Sequence, residues 1–183
     1  PVFTSMSFES RGRTFTGCLY FGLMMTPKGP KVIEYNCRFG DPETQAVLPL
    51  VEGDLLEIMI ATQAGTLDKC EIKLSDKSSC CLVLASGGYP EKYEKGKLIT
   101  FDGDVEADCG VCIFHAGTKL RTPDSSEFVT SGGRVLGITA VRDTLEEAVR
   151  AAYAAAERVH FDGKYSRSDI GLSALRESRL KNG

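Results

Sequence analysis

The stretch Lys31-Val-Ile-Glu-Tyr-Asn-Cys-Arg-Phe-Gly-Asp-Pro-Glu-Thr-Gln45 constrains this chain more than any other. Its first half alternates with the period of a strand, placing Val32, Glu34 and Asn36 on one face and Ile33, Tyr35 and Cys37 on the other. Residues two apart on a strand are separated by roughly 6.5 Å. Glu34 and Asn36 can therefore aim side-chain oxygens at one object between them. A carboxylate with an amide carbonyl suits a hard cation such as Mg²⁺, which completes its shell with water or phosphate oxygens. Asp41-Pro42-Glu43 then reads as a helix start: Asp41 as N-cap, Pro42 first, Glu43 in the first turn. Arg38 lies between the two features, so that a cation, a guanidinium and free N–H groups would make an anion site. The same residues also fit an edge strand with a solvated Glu and Asn, followed by an ordinary capped helix.

Composition narrows the class. The chain has 183 residues, enough for one large domain or two small ones. Apolar residues make up 42% and charged residues 26%, ordinary values for a globular protein. A formal net charge of −3 offers no reason to expect nucleic acid or a membrane surface as partner. No apolar run reaches a membrane-spanning length, and PVFTSMSFES lacks the basic start and apolar core of a signal peptide. The 7 cysteines are odd in number and scattered. Cys18, Cys37, Cys80 and Cys81 lie in apolar strand-like runs, and Cys109-Gly-Val-Cys112 is a lone C-x-x-C with no second pair. They are expected to be reduced, buried thiols of a cytoplasmic protein. The chain opens on Pro1, not Met, and is expected to be a piece of something longer.

Along the chain, Val2–Ser10 suggests the tail of a helix, broken at Gly12. Thr14–Met25 reads as a buried strand, and Thr26-Pro-Lys-Gly29 as a turn, so residues 14–37 form a hairpin. Helices are predicted over 42–48 and over 55–63. The second has Asp54 as N-cap, Gly65 as stop, and Leu55, Ile58, Met59 and Thr62 on one face. The polar run 65–79 carries the domain boundary, near residue 75. Strands are predicted over 80–85, 97–101, 111–119, 127–130 and 134–141, separated by Gly-rich turns. Thr144-Leu-Glu-Glu147 is a capping box opening an Ala-rich helix to about residue 158, with Leu145, Ala148, Val149, Ala152 and Ala156 on its packing face. Ser168 or Asp169 would cap a last short helix.

Other candidates are less specific. Gly87-Gly88, Gly117 and Gly132-Gly133 could cradle phosphate, although isolated glycines more often make tight turns, and none fits a nucleotide-binding fingerprint. His115 in an apolar strand reads first as a hydrogen-bonded core histidine. Arg134 suits a salt bridge as well as a substrate contact. No nucleophile is paired with a base, which excludes a hydrolase triad.

Arg38-Phe-Gly-Asp-Pro-Glu-Thr-Gln45, preceded by Glu34-Tyr-Asn-Cys37, resembles the signature of the phosphoribosylamine–glycine ligase (glycinamide ribonucleotide synthetase) family, ATP-grasp ligases of purine biosynthesis. Gly17-Cys-Leu-Tyr-Phe-Gly-Leu-Met24, Ala85-Ser-Gly-Gly-Tyr-Pro90, Phe114-His-Ala-Gly-Thr118, Gly132-Gly-Arg-Val-Leu136 and Asp169-Ile-Gly171 resemble the same family, in its order.

The resemblance implies an α+β chain. Residues 1–75 would be the end of an ATP-grasp domain, a β-hairpin with helices. Residues 76–183 would be the ligase C-terminal domain, a small mixed or antiparallel β domain with helices. It further implies a reaction joining glycine to phosphoribosylamine at the expense of ATP, through glycyl phosphate. Glu34 and Asn36 would hold Mg²⁺ (or Mn²⁺) bridging the ATP phosphates, and Arg38 would stabilise the phosphoryl oxygens or the acyl phosphate. Asp41 would cap the helix or receive an amino group, and His115, Gly117 and Arg134 would help wall the substrate site. Only the later, smaller part of the family's length is matched: the N-terminal domain and the ATP-holding lysines and lid are missing. The chain alone is therefore expected to be inactive without that N-terminal half. The alternative is a non-catalytic binding module built on the same fold.

Overall fold

The computed structural model describes residues 15–181, with side chains as far as Arg176. The helix tail expected over Val2–Ser10 lies outside these residues. The chain divides into two compact units, Pro1–Ser75 and Asp76–Gly183.

In the first unit, β1 (Tyr20–Thr26) and β2 (Gly29–Asn36) form an antiparallel hairpin. Its turn closes through Thr26 Oγ1, which donates to the Gly29 carbonyl at 2.7 Å, and Gly29 takes the left-handed conformation at φ 90°. Then come α1 (Glu43–Val47), a single 3-10 turn (Leu48–Leu50), β3 (Val51–Glu52), α2 (Leu55–Ala64) and β4 (Lys73–Leu74), which pairs with β3. Asp54 caps α2 as expected, accepting from the N–H groups of Leu56 (2.8 Å) and Glu57 (3.3 Å), and Gly65 ends it at φ 69°. Such a cap contributes about 1 kcal/mol. The face expected on α2 forms only in part: Ile58 is buried, whereas Met59 is exposed. Leu56 and Ile60 are exposed too, because the helix is apolar on every side.

The hairpin departs from expectation. β1 was expected to be buried, yet Gly22 is its only buried residue and Met25 is 75% exposed. A two-stranded sheet has only its own cross-strand pairs to cover it. Phe21 and Tyr35 make one such pair, edge to face with centroids 5.1 Å apart.

The second unit begins with β5 (Ser78–Ser86), β6 (Leu98–Phe101) and α3 (Val105–Cys109). Next are β7 (Val111–His115), β8 (Thr118–Leu120), β9 (Phe128–Thr130) and β10 (Arg134–Arg142). It closes with α4 (Leu145–Glu157), β11 (Val159–His160), β12 (Lys164–Tyr165) and α5 (Leu172–Lys181). Two four-stranded antiparallel sheets result, in the orders β12-β5-β10-β7 and β11-β6-β9-β8. The single strand expected over 111–119 is two strands in different sheets, broken at Ala116-Gly117. β10 is buried at every position from Val135 to Ala140, the signature of a central strand covered on both faces.

α4 opens with the expected capping box, the Thr144 hydroxyl and Glu147 carboxylate each serving the other's backbone N–H. It packs Ala148, Val149, Ala152, Ala155 and Ala156 into the core with Leu82, Leu84, Leu136 and Ile138. The Ala156 carbonyl in its last turn is satisfied by Lys164, whose Nζ donates to it (2.9 Å) and to the carbonyl of Val159 in β11 (2.6 Å). Asp169 does not cap α5 with its carboxylate, which Arg167 holds in a bidentate pair; its backbone carbonyl accepts the Leu172 N–H instead. Gly171 is required by contact: a Cβ there would collide with Val149.

The cysteines are all free, but of the seven only Cys80 is buried; Cys37 and Cys112 are exposed. Cys37 follows the last paired residue of β2, and Cys112 faces outward from β7. Burial pushes the Cys80 thiol up to about 11. At about pH 8 an alkylating reagent should therefore modify Cys37 and Cys112 and spare Cys80 until denaturant is added, as read by mass spectrometry. Leu84→Ala, at a side chain with no exposure, should lower the unfolding free energy by about 2–5 kcal/mol. Val32→Ala, on the exposed hairpin, should change it by less than about 0.5 kcal/mol; denaturant titration separates the two.

Candidate active site

Cross-strand register defines one face of the hairpin. Asn36 pairs with Tyr20 and Glu34 with Gly22, and direct antiparallel partners share a face. Gly22 is the reason Glu34 can lie across the sheet: a Cβ there would stand 3.0 Å from the Glu34 Cγ. The alternation expected for Val32 fails. The register shifts between Gly22 and Leu23, so that Val32 pairs with Leu23 and Ile33 is the extra, bulged residue. Val32 therefore joins the Phe21–Tyr35 face, and Glu34 and Asn36 keep the other without it.

α1 brings a further carboxylate to this face. Tyr20 hydrogen-bonds Glu43, and desolvation, then the carboxylates of Glu43 and Glu34, push its phenol above the usual tyrosine range. Buried Gly40 makes room: a Cβ there would meet both the Glu43 carboxylate and the Tyr20 ring. Sequence reasoning took Glu43 only as a helix-start residue and missed Tyr20. The usable signal was the pair of small residues, Gly22 and Gly40, flanking acidic ones.

The helix start itself is not as expected. Pro42, not Asp41, is the N-cap, and no side chain caps α1. Asp41 Oδ1 accepts from the Gln45 amide at 2.8 Å, and the Thr44 N–H goes to the Gly40 carbonyl at 3.1 Å. With five residues, α1 aligns too few peptide dipoles to attract an anion strongly. The anion reading therefore falls back on Arg38, which is exposed and donates to the Phe39 carbonyl at 2.8 Å. Among the described residues, no three His, Cys, Asp or Glu side chains group to hold an ion by themselves. Glu34 and Asn36 offer oxygens only, a hard donor set that fits Mg²⁺ when phosphate and water supply the remainder.

In the second unit, three of the sequence blocks converge at one end of the β12-β5-β10-β7 sheet. Ser86 donates from its N–H to the Gly133 carbonyl (2.8 Å) and from its hydroxyl to the Gly132 carbonyl (2.9 Å). From the other side, the Gly117 N–H reaches the Arg134 carbonyl (2.8 Å) and the Ser131 N–H reaches the Gly117 carbonyl (2.7 Å). Gly117 is obligatory, since a Cβ would collide with the Arg134 carbonyl and Gly132. Half-buried Arg134 directs Nε to the Tyr89 hydroxyl at 3.2 Å.

His115 is not a core residue. It is exposed, its Nδ1 lies 2.8 Å from Thr118 Oγ1, and its ring packs tilted against Phe128, centroids 4.5 Å apart. β7 ends there, before the chain crosses to the second sheet. His115 pairs with Leu136, whereas Arg134 pairs with Ala85 across a register shift. Ala85 and Leu84 alternate, so Arg134 and His115 stand on opposite faces. Gly117 and Arg134 are thus brought together, and His115 is not.

Residues 79–173 match the family model of the phosphoribosylglycinamide synthetase C domain, and residues 3–44 match that of its ATP-grasp (A) domain. The chain is 49% identical over 179 residues to a bifunctional purine biosynthetic protein of Schizosaccharomyces pombe, covering 98% of this chain and 22% of the relative. It is 44% identical over 172 residues to the phosphoribosylamine–glycine ligase of Chlorobaculum tepidum, covering 94% and 40%. The crystal structure of the Thermotoga maritima phosphoribosylamine–glycine ligase superposes with a TM-score of 0.68 at 38% identity, over 83% of this chain and 36% of that one. The chain thus spans between about a fifth and two fifths of these relatives' lengths. No helix of the described residues is long and apolar enough to cross a membrane.

The Tyr20–Glu43 contact sets a titration. Because its folded-state pKa is raised, the Tyr20 phenol should stay protonated to higher pH than a free tyrosine. Glu43→Gln removes a negative charge and should lower its midpoint. Phenolate absorbance, assigned by difference from Tyr20→Phe, reads the change; an unmoved midpoint would place Glu43 away from the face.

Proposed function

Because the chain belongs to the phosphoribosylglycinamide synthetase family, we propose that it is the later part of an ATP-dependent ligase of purine biosynthesis. The complete enzyme would join glycine to 5-phosphoribosylamine, giving glycinamide ribonucleotide, ADP and phosphate. The observation that carries this reading is the oxygen pair of Glu34 and Asn36, set on one hairpin face across from side-chain-free Gly22.

In the proposed reaction the terminal phosphoryl group of ATP passes to a carboxylate oxygen of glycine, and ADP leaves. The amine of phosphoribosylamine then attacks the activated carbonyl carbon, the phosphate departs, and the nitrogen loses a proton. Glu34 and Asn36 would hold Mg²⁺ or Mn²⁺, which when bound neutralises charge on the ATP phosphates. Arg38 donates to the phosphoryl oxygens, a fork that matches their geometry. Tyr20 and Glu43 hold the face in shape beside them, and Asp41 steadies the turn through Gln45. In the second unit Arg134 contacts an anionic group of a substrate, and Gly117 admits the close backbone approach that fixes Arg134. His115 lies outside that group. Residues 1–75 serve as the end of the ATP-grasp domain and residues 76–183 as the C-terminal domain, both working with an N-terminal half that holds ATP.

The 183-residue chain alone should form no ADP in the presence of ATP, glycine and phosphoribosylamine. Joined behind the N-terminal portion of the Chlorobaculum relative, it should give an active ligase. In that reconstituted enzyme Glu34→Gln should lower kcat by roughly 10²-fold, a usual loss for one charge-stabilising contact, while Cys112→Ser leaves it unchanged. Turnover by the chain alone would refute the need for the other half. Full activity of Glu34→Gln would refute the metal assignment, and ligand binding without any turnover in the reconstituted enzyme would favour a non-catalytic module.

A further inference from the structure

Tyr89 belongs to one of the sequence blocks, yet the proposed chemistry leaves it without a task. Its hydroxyl accepts the Arg134 Nε–H at 3.2 Å. Its ring lies directly on Gly133, where a Cβ would collide with it, so the residue before Arg134 must be glycine for the ring to reach that position. The turn that delivers Tyr89 is equally constrained. Gly88 sits at φ 94°, where a Cβ would collide with the Lys92 carbonyl, and the Tyr89 N–H closes the turn on the Ser86 carbonyl at 3.0 Å. Ser86 is itself bonded to Gly132 and Gly133. Tyr89 and Arg134 are therefore mounted on one hydrogen-bonded frame, and the Tyr93 ring stands edge-on behind Tyr89 at 6.1 Å.

We propose that Tyr89 is a positioning residue that presets the Arg134 guanidinium for an anionic group of a substrate; this rests on the reading of Arg134 as a substrate contact. A bond to Nε fixes the plane of the guanidinium, which is what a bidentate anion contact requires. Ordering the side chain before the ligand arrives removes a cost otherwise taken from binding. The anion is either the phosphate of phosphoribosylamine or the carboxylate of glycine, both of which present the planar pair of oxygens that a guanidinium takes.

Two measurements test this. In the ¹H–¹⁵N spectrum of the 183-residue chain, the Arg134 Nε–H, identified by its loss in Arg134→Lys, should exchange slowly. In Tyr89→Phe it should exchange measurably faster. Fast exchange in the unsubstituted chain overturns the proposal without any Tyr89 variant. In the reconstituted ligase, Tyr89→Phe should raise one KM by about threefold to tenfold, the usual worth of ordering one long side chain, with kcat within about twofold. A rise for phosphoribosylamine assigns the phosphate, and a rise for glycine assigns the carboxylate. Arg134→Met should raise the same KM further, and by the same final value whether or not Tyr89→Phe is also present. If Arg134→Met changes no KM, the reading of Arg134 falls and the proposal with it. If Arg134→Met acts but Tyr89→Phe does not, or if their effects multiply, the reading of Arg134 stands and the positioning role of Tyr89 is overturned.

Discussion

The pairing of β10 between β5 and β7 is the constraint on which the second unit depends. Every residue from Val135 to Ala140 is buried, so the strand cannot slip by one position without sending Leu136, Ile138 and Ala140 away from α4. The register is interrupted only at its start, between Arg134 and Leu136. That interruption turns Arg134 to the face opposite His115, after which the regular ladder resumes. Packing thus sets the strand rigidly, and a local irregularity at its end aims the side chain that the chemistry would use.

The hairpin repeats this logic on a smaller scale. Ile33 is extra in β2, and the bulge removes an apolar neighbour from the face of Glu34 and Asn36. Glycines leave room on each side: Gly22 across from Glu34, and Gly40 beside Glu43 and Tyr20. In both units the candidate residues sit beside a bulge and a glycine, where a regular ladder gives way. Energetically these positions contribute little to the core, and the core in turn tolerates the irregularity because it is complete without them.

Cations near helix ends serve a different purpose. Arg142 donates to the carbonyls of Cys109 and Gly110, and Lys164 to those of Ala156 and Val159. Arg158 pairs with Asp108 at 2.6 Å. The Arg142 and Lys164 contacts satisfy carbonyls at the ends of α3 and α4. They mark much of the half-buried positive charge of the second unit as structural.

Local signals alone determined much of this protein. The Asp54 cap, the Gly65 stop and the Thr144–Glu147 capping box are contacts within a few residues, so the sequence carries all their information. The family, and with it the α+β class, followed from the resemblance carried by the ordered blocks. The strand period put Glu34 and Asn36 on one face, because a period of two needs no partner strand to be read. Tertiary structure alone decided the rest. It moved Val32 off that face, since a bulge exists only relative to a partner strand. It split residues 111–119 between two sheets, exposed His115, and spent the Asp41 carboxylate on Gln45. It also joined Tyr89 to Arg134 and Tyr20 to Glu43, contacts between residues far apart in the chain or across a turn. Periodicity reports which way a side chain points along its own strand; which atoms it meets there depends on register, and register is settled by the packing of the whole unit.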